Sequence, residues 1–452
     1  MTLKKEWRKD MERTRVAFVV ALAAAFAVQA HPLDRAWIRG TTDKDPVSYR
    51  VGEKMVFTLA LQDFEGDAIP DGFDLSWKRS GDDGRCEEGK VPLTAEPFVR
   101  ETSIDRPGFV RLEAYVTRRS DGRRFTYQDG YVFFDGGAGA EIDRLVGRPE
   151  PADFDEFWKR QFARLDLVPV EGERKKLGED DAGYGIYAVQ VRCAGLRPVT
   201  GFLTMPPDAG DRKYPCRLET RGYDASIAAQ DVPDRRYRDG EIVLSINAHG
   251  MPLKAFGATL ADMKAFRWQA RSHDCSYAFD VAQNEDPETS YFNGMVLRVK
   301  RALQYLKTLP GWNGRDLFAA GGSQGGLQTI WAAACGEGVT KTESRITWCC
   351  DIYTNGRLRK NPALSLSGDG WYVPWAEGLD YYDAVNFAKR IPVTCETTVA
   401  RAGLGDYTCP PAGIAKMWNA IPGPKKIVWV QGSRHGYVPP SYEGRDFVRQ
   451  SP

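Results

Sequence analysis

The stretch "RDLFAAGGSQGGLQTIWAAAC", residues 315–335, decides the fold. Leu317, Phe318, Ala319 and Ala320 read as the end of a short buried strand, and Leu327 to Cys335 as a helix. Only a very sharp turn fits between them. Glycine at 321, 322, 325 and 326 removes side chains that would collide with strand or helix and allows strained backbone angles. Such a turn lifts Ser323 Oγ clear of the sheet at the helix N-terminus, the G-x-S-x-G nucleophile elbow. A glycine-rich turn with an idle serine carries the same letters, so the serine must be judged by its partners.

A serine hydroxyl is a poor nucleophile until a base accepts its proton and an acid orients that base. The chain has four histidines. His31 lies near its start, and His273 in "RSHDCSY" sits in a polar loop. His249 in "INAHGMP" ends a strand upstream of the serine, and His435 in "VQGSRHGYVPP" follows the last strand. In the α/β-hydrolase order of serine, acid, histidine, only His435 lies downstream of Ser323. Asp406 in "ARAGLGDYTCPP" follows an apolar strand directly and is the preferred acid; Asp351, just after "TWCC", is its rival. The plainer reading of Asp406 is an N-cap for the helix that starts at "AGIAKMW". For the oxyanion, one donor is the backbone N–H of Gln324. The other is the N–H of Tyr223 in "CRLETRGYDAS", where Gly222 lets the backbone come close. His249 is a candidate for the pocket wall, against the commoner role of a hydrogen-bonded structural histidine.

Around this centre the chain divides in two. Residues 31–135 carry strand-length runs, among them "MVFTLAL" (55–61), "FDLSWKR" (73–79), "FVRLEAYVTR" (109–118), "RFTYQ" (124–128) and "YVFF" (131–134). Gly, Asp and Pro turns separate them, as expected for a small immunoglobulin-like β-sandwich. "DGGAGA" (135–140) reads as a flexible joint within a linker over 136–150. From 151 to 452, strands alternate with helices, the pattern of a mostly parallel sheet flanked by helices. "ITWCCDIY" (346–353) is among the expected strands. Chemistry then belongs at the carboxyl ends of the strands.

Residues 1–30 join a basic head to the apolar run "VAFVVALAAAFAV" and end in "VQA", a secretory signal peptide cleaved near Ala30. The apolar run is too short to span a bilayer comfortably, so no anchor is expected after cleavage. Met11 is an alternative start. The leader holds six basic and three acidic residues, so the formal charge of +1 becomes −2 in the mature chain, with no electrostatic footprint for nucleic acid. A secreted or periplasmic protein is expected. All nine cysteines lie beyond the leader, an odd number without C-x-x-C spacing, so one or two disulfides are conceivable and a zinc site has little support.

The stretches "PADFDEFW", "YFNGMVLRVKRALQYLKTLPGWNGRDLFAAGGSQGG", "YYDAVNFAKRI", "GLGDYTCPP" and the late "HG" resemble the acetyl xylan esterase and cephalosporin C deacetylase family, over about residues 145–445. The resemblance implies an α/β-hydrolase fold that removes acetyl groups from sugars without a cofactor. It further implies a triad of Ser323, Asp406 and His435, with Tyr223 and Gln324 as oxyanion donors. The implied partner is an acetylated oligo- or polysaccharide, and a homo-oligomer is common in the family. Two departures stand out: "NAHGMP" (247–252) replaces an R-G-Q-G-like run, and the N-terminal β region is absent from compact members. "LSLSGDGWYVPWAEG" (364–378) offers Trp371 and Trp375 either to a sugar or to the core. Competing readings are a prolyl-oligopeptidase-like peptidase, a general aryl or polyester esterase, and a non-catalytic polysaccharide-binding protein. For the sandwich, a spacer or packing role is expected ahead of sugar binding.

Overall fold

The computed structural model describes residues 31–451 apart from 65–68, 70, 128–129, 224–238, 274, 359–372 and 444–446. The leader expected over residues 1–30 and Trp371 therefore lie outside the described residues.

The N-terminal strands build two antiparallel sheets. One holds β1 (Trp37–Thr42), β2 (Met55–Gln62) and β5 (Phe98–Thr102) in the order β1-β2-β5. The other holds β3 (Phe73–Gly81), β4 (Glu87–Pro92), β6 (Gly108–Arg118) and β9 (Phe133–Ala140) in the order β4-β3-β6-β9. Where a strand is expected at 124–128, a two-residue ladder of β7 (Thr126–Tyr127) and β8 (Gly130–Tyr131) forms, and Arg124 bridges to Thr117. Alternation puts Val110, Leu112, Ala114 and Val116 of β6 into the sandwich core together with Phe57, Leu59 and Phe134. The opposite face of β6 is buried as well.

Residues 135–140, expected as a joint, are instead most of β9, and every residue of that strand is buried. The glycines serve close approach: a Cβ on Gly137 would stand 2.5 Å from Val110 O and 3.0 Å from Leu404 O. The expected linker thus begins inside a core strand. Its remainder holds only the short turn Ile142–Arg144.

A single ten-stranded sheet forms the rest, in the order β10-β11-β12-β14-β13-β17-β18-β19-β20-β21. Its strands are β10 (Gly172–Glu179), β11 (Gly185–Val191), β12 (Val199–Met205), β13 (Tyr214–Thr220) and β14 (Ile242–Asn247). After the small ladder of β15 (Arg271–Ser272) and β16 (Cys275–Ser276) come β17 (Trp312–Gly322), β18 (Lys341–Arg345), β19 (Glu396–Gly403), β20 (Lys425–Val430) and β21 (Phe447–Ser451). The run β14-β13-β17-β18-β19-β20 is parallel throughout, and the flanking pairings are antiparallel. This is an α/β-hydrolase-type sheet preceded by a β-sandwich. β10, "GERKKLGE", has no apolar alternation to betray it, because it is a fully exposed, charged edge.

Helices cover the sheet. Tyr291–Thr308 buries Phe292, Met295, Val296, Val299, Leu303 and Leu306, and Gln324–Ala334 is buried along its length, with Trp331 wholly enclosed. Where a strand is expected at 346–353, β18 has already ended at Arg345. The chain then bends through positive φ at Ile346, Cys349 and Asp351. Apolar residues are needed there for burial against the neighbouring helices, so hydrophobicity without a ladder mimics a strand.

Candidate active site

Ser323 stands between the end of β17 and the helix Gln324–Ala334, with φ 58° and ψ −123°. No L-residue adopts this conformation cheaply, and such strain at a turn persists only where the surroundings over-determine it. Here the Ser323 N–H donates to Arg345 O (2.9 Å), and its carbonyl accepts from Leu327 N and Trp348 N (both 3.1 Å). The strain thus falls on the serine, not on the four glycines, none of which has positive φ. Three of them are sterically required: a Cβ would lie 2.3 Å from Thr220 Oγ1 at Gly321, 2.5 Å from Thr220 O at Gly325 and 2.8 Å from Ser344 Oγ at Gly326. At Gly322 the nearest atom would be 3.7 Å away, so that position has room.

Parallel strands deliver the other groups to the same edge. Asp406 follows β19 and is completely buried, while His435 follows β20 and keeps about a third of its side chain exposed (31%). Ser323 Oγ lies 3.1 Å from His435 Nε2, and His435 Nδ1 lies 3.0 Å from Asp406 Oδ2. The second carboxylate oxygen, Oδ1, accepts the N–H groups of Thr408 and Cys409 at 3.1 and 3.0 Å. Asp406 therefore shapes its own loop with one oxygen and holds the imidazole with the other. It caps no helix, since Pro410 is the N-cap of Pro411–Ala420. The rival Asp351 is bound by Lys416. One neighbour the sequence does not single out, although it lies in the quoted "GLGDYTCPP", is Cys409, whose Sγ is 3.7 Å from His435 Nδ1. Asp406, Cys409 and His435 bring donor atoms within 4.8 Å of one another, as a metal site would require, but the carboxylate and imidazole there are already joined to each other.

The two expected oxyanion donors follow the ends of neighbouring strands. β13 pairs with β17 in the register Thr220↔Gly321, and Tyr223 and Gln324 each lie three residues beyond that pair. Gly222 faces the Gly322 carbonyl, with 3.8 Å between that oxygen and a built Cβ. The Tyr223 ring stacks on Tyr277 at 4.8 Å, and Gln324 Nε2 donates to Tyr277 Oη at 2.5 Å. Tyr277 so ties the segments of Tyr223 and Gln324 together, a role visible only in three dimensions.

His249 is 3% exposed and is not an open pocket wall. Its Nδ1 lies 3.1 Å from Tyr291 Oη and its ring centroid 4.7 Å from that of Tyr277. Burial, helped by the charges of Arg298 and Arg197, holds its pKa down to about 3, so the ring is neutral. His273 is 75% exposed and pairs with Asp280, and His31 packs on Phe73 and Phe125 of the sandwich; neither approaches Ser323 through these contacts. Trp375 is half-buried against Tyr353 and donates to Asp380. Cys216, Cys335, Cys349, Cys350 and Cys395 are buried single thiols, and burial pushes those of Cys216 and Cys335 up to about 12. Among the described residues no helix is long and apolar enough to cross a membrane.

The chain is similar to known proteins in sequence and in fold. Residues 143–360 match the family model described as acetyl xylan esterase (AXE1). Acetyl esterase Axe7A of Xylanibacter ruminicola is 28% identical over 429 residues, covering 93% of this chain and 92% of its own. Acetyl xylan esterase 1 from Thermoanaerobacterium sp. JW/SL YS485 superposes with a TM-score of 0.53 at 20% identity, over 66% of this chain and 94% of that one. Acetyl xylan esterase from Paenibacillus sp. R4 gives 0.50 at 20% identity, with the same two coverages. At that identity the two structures speak to the fold alone. They leave about a third of this chain unmatched, whereas the Xylanibacter relative spans nearly all of it.

Proposed function

We propose that this chain, a carboxylic ester hydrolase similar to acetyl xylan esterases, is a member of that family and an exported serine esterase that removes O-acetyl groups from carbohydrates. The observation that carries the reading is the relay of two contacts, 3.1 Å from Ser323 Oγ to His435 Nε2 and 3.0 Å from His435 Nδ1 to Asp406 Oδ2. In this reading His435 accepts the hydroxyl proton as Ser323 attacks the acetyl carbonyl. Asp406 fixes the tautomer that leaves Nε2 free and stabilises the imidazolium that forms. The Tyr223 and Gln324 N–H groups receive the oxyanion, each worth roughly 10²–10³ in rate. His435 then gives the proton to the departing sugar oxygen as its bond to the carbonyl carbon breaks, leaving an acetyl-Ser323 ester and a free sugar hydroxyl. Water, activated by the same imidazole, releases acetate and restores the serine. No step calls for a cofactor. Export rests on the basic-then-apolar leader of residues 1–30.

The test compares acetate release from acetylated xylan, acetylated monosaccharides and p-nitrophenyl acetate by wild type and Ser323→Ala. Release from the sugars, lost by about three or more orders of magnitude in the variant, supports the reading. Turnover of the nitrophenyl ester alone would leave the relay standing and overturn the sugar substrate. A variant as active as wild type would overturn the relay itself.

A further inference from the structure

We propose that the N-terminal sandwich is a working part of the catalytic centre, whose strands β6 and β9 hold the acid and base loops in register through Gln431, Asp135 and Arg111; this rests on the triad reading above. The face of the sandwich turned away from its own core packs on these loops as well as on Trp429 of β20. Gln431 directly follows β20 on the path to His435 and is buried. Its side chain pairs with the backbone of β9 in both directions, accepting from Gly137 N at 2.9 Å and donating to Gly137 O at 2.8 Å. An amide that pairs like a strand residue transmits position along two directions at once, because neither bond can slide without breaking the other.

The acid loop is pressed on the same strand. A Cβ on Gly405, the residue before Asp406, would stand 1.9 Å from Asp135 O, so the two backbones are in direct contact. Beneath that contact Arg111 holds Asp135 with two hydrogen bonds, of 2.8 and 2.7 Å, and approaches Glu113 at 3.3 Å. Its guanidinium lies 4.1 Å from the ring centroid of Tyr407, the residue after Asp406. Arg111, Glu113 and Asp135 are each at most 2% exposed. An apolar packing of the same volume would serve stability as well, so the buried charges point to a part in specifying geometry, as in some other proteins. The base loop has a second tether: Arg434, next to His435, lies over the Phe133 ring at 4.2 Å and reaches Tyr115 Oη at 3.3 Å. The two loops are also tied to each other, Gly405 N donating to Ser433 O at 3.0 Å.

A positioning role is separable from a merely structural one by a double-mutant cycle in the full chain. With p-nitrophenyl acetate, Gln431→Ala should lower kcat about 10- to 100-fold while KM stays within about twofold, because misplacement by an ångström is costly to chemistry and not to binding. In an Asp406→Asn background the same change should cost no more than about twofold, as the pair it aligns is already disabled. Thermal unfolding confirms that each variant is folded. Should Gln431→Ala not fold, Arg111→Lys, which keeps the charge and loses the paired hydrogen bonds, takes its place under the same criteria. A folded variant with undiminished kcat overturns the proposal, and so does an equal loss in both backgrounds. If Asp406→Asn alone leaves the rate intact, the triad reading fails and takes this proposal with it.

Discussion

Gln431 and Gly137, 294 residues apart in the chain, exchange two hydrogen bonds, 2.9 Å into the glutamine oxygen and 2.8 Å out of its amide. Gly137 can take part only because it has no side chain, since a Cβ there would meet Val110 O and Leu404 O, both backbone atoms that cannot rotate away. Gly137→Ala should therefore lower stability by about 1–3 kcal/mol, the usual cost of overpacking. Chemical denaturation of the two proteins checks it. A midpoint unchanged from wild type would mean that the two layers have more slack than their contacts imply.

The two aspartates near strand ends should separate cleanly. Asp406→Asn keeps the shape of the loop but favours the wrong imidazole tautomer, and kcat should fall by about 10³–10⁴. Asp351→Asn breaks the pairing with Lys416 and touches none of the partners of His435 described above, so the rate per folded molecule should stay within about threefold. Steady-state assays with p-nitrophenyl acetate decide between them, and a reversal of the two results would make Asp351 the acid.

Within the elbow, the glycines are not equivalent. Gly325→Ala brings a Cβ to 2.5 Å from Thr220 O, a backbone atom of the adjoining strand, and should destabilise by about 1–3 kcal/mol or more. Gly322→Ala meets nothing nearer than 3.7 Å and should cost less than about 1 kcal/mol. Melting temperatures of the two variants, compared with wild type, give the answer.

His249 predicts an acid-side weakness. The folded protein holds it neutral, with a pKa of about 3, against an ordinary value of 6.5. The unfolded chain thus binds a proton that the folded chain refuses between these values. The stability at stake is complete above pH 6.5 and is lost as pH falls from there towards 3. His249→Gln, which keeps a hydrogen-bonding partner for Tyr291, should make the fall of melting temperature between pH 6.5 and 4 shallower than in wild type. Parallel slopes would show that the ring accepts a proton in the folded state.

By itself the sequence determined what depends on local chemistry. The elbow could be read because a serine between glycine pairs, with a strand before and a helix behind, leaves one sharp turn as the solution. Asp406 and His435 could be read because parallel strands put their loops on one edge, and chain order left one histidine downstream. What the sequence could not say is what covers a face. In "FVRLEAYVTR" alternation marks Val110, Leu112, Ala114 and Val116 for a core and leaves Arg111 and Glu113 on a side that would suit water equally well. In "DGGAGA" the glycines looked like freedom and are contact, because a glycine that bends a chain and one that admits a neighbouring backbone are the same letter. Likewise "ITWCCD" is apolar without being a strand, for burial selects residue type while a ladder needs a partner. Tertiary structure alone decided that the second layer lies on these residues, since such contacts join segments hundreds of residues apart and leave no periodic trace in either one.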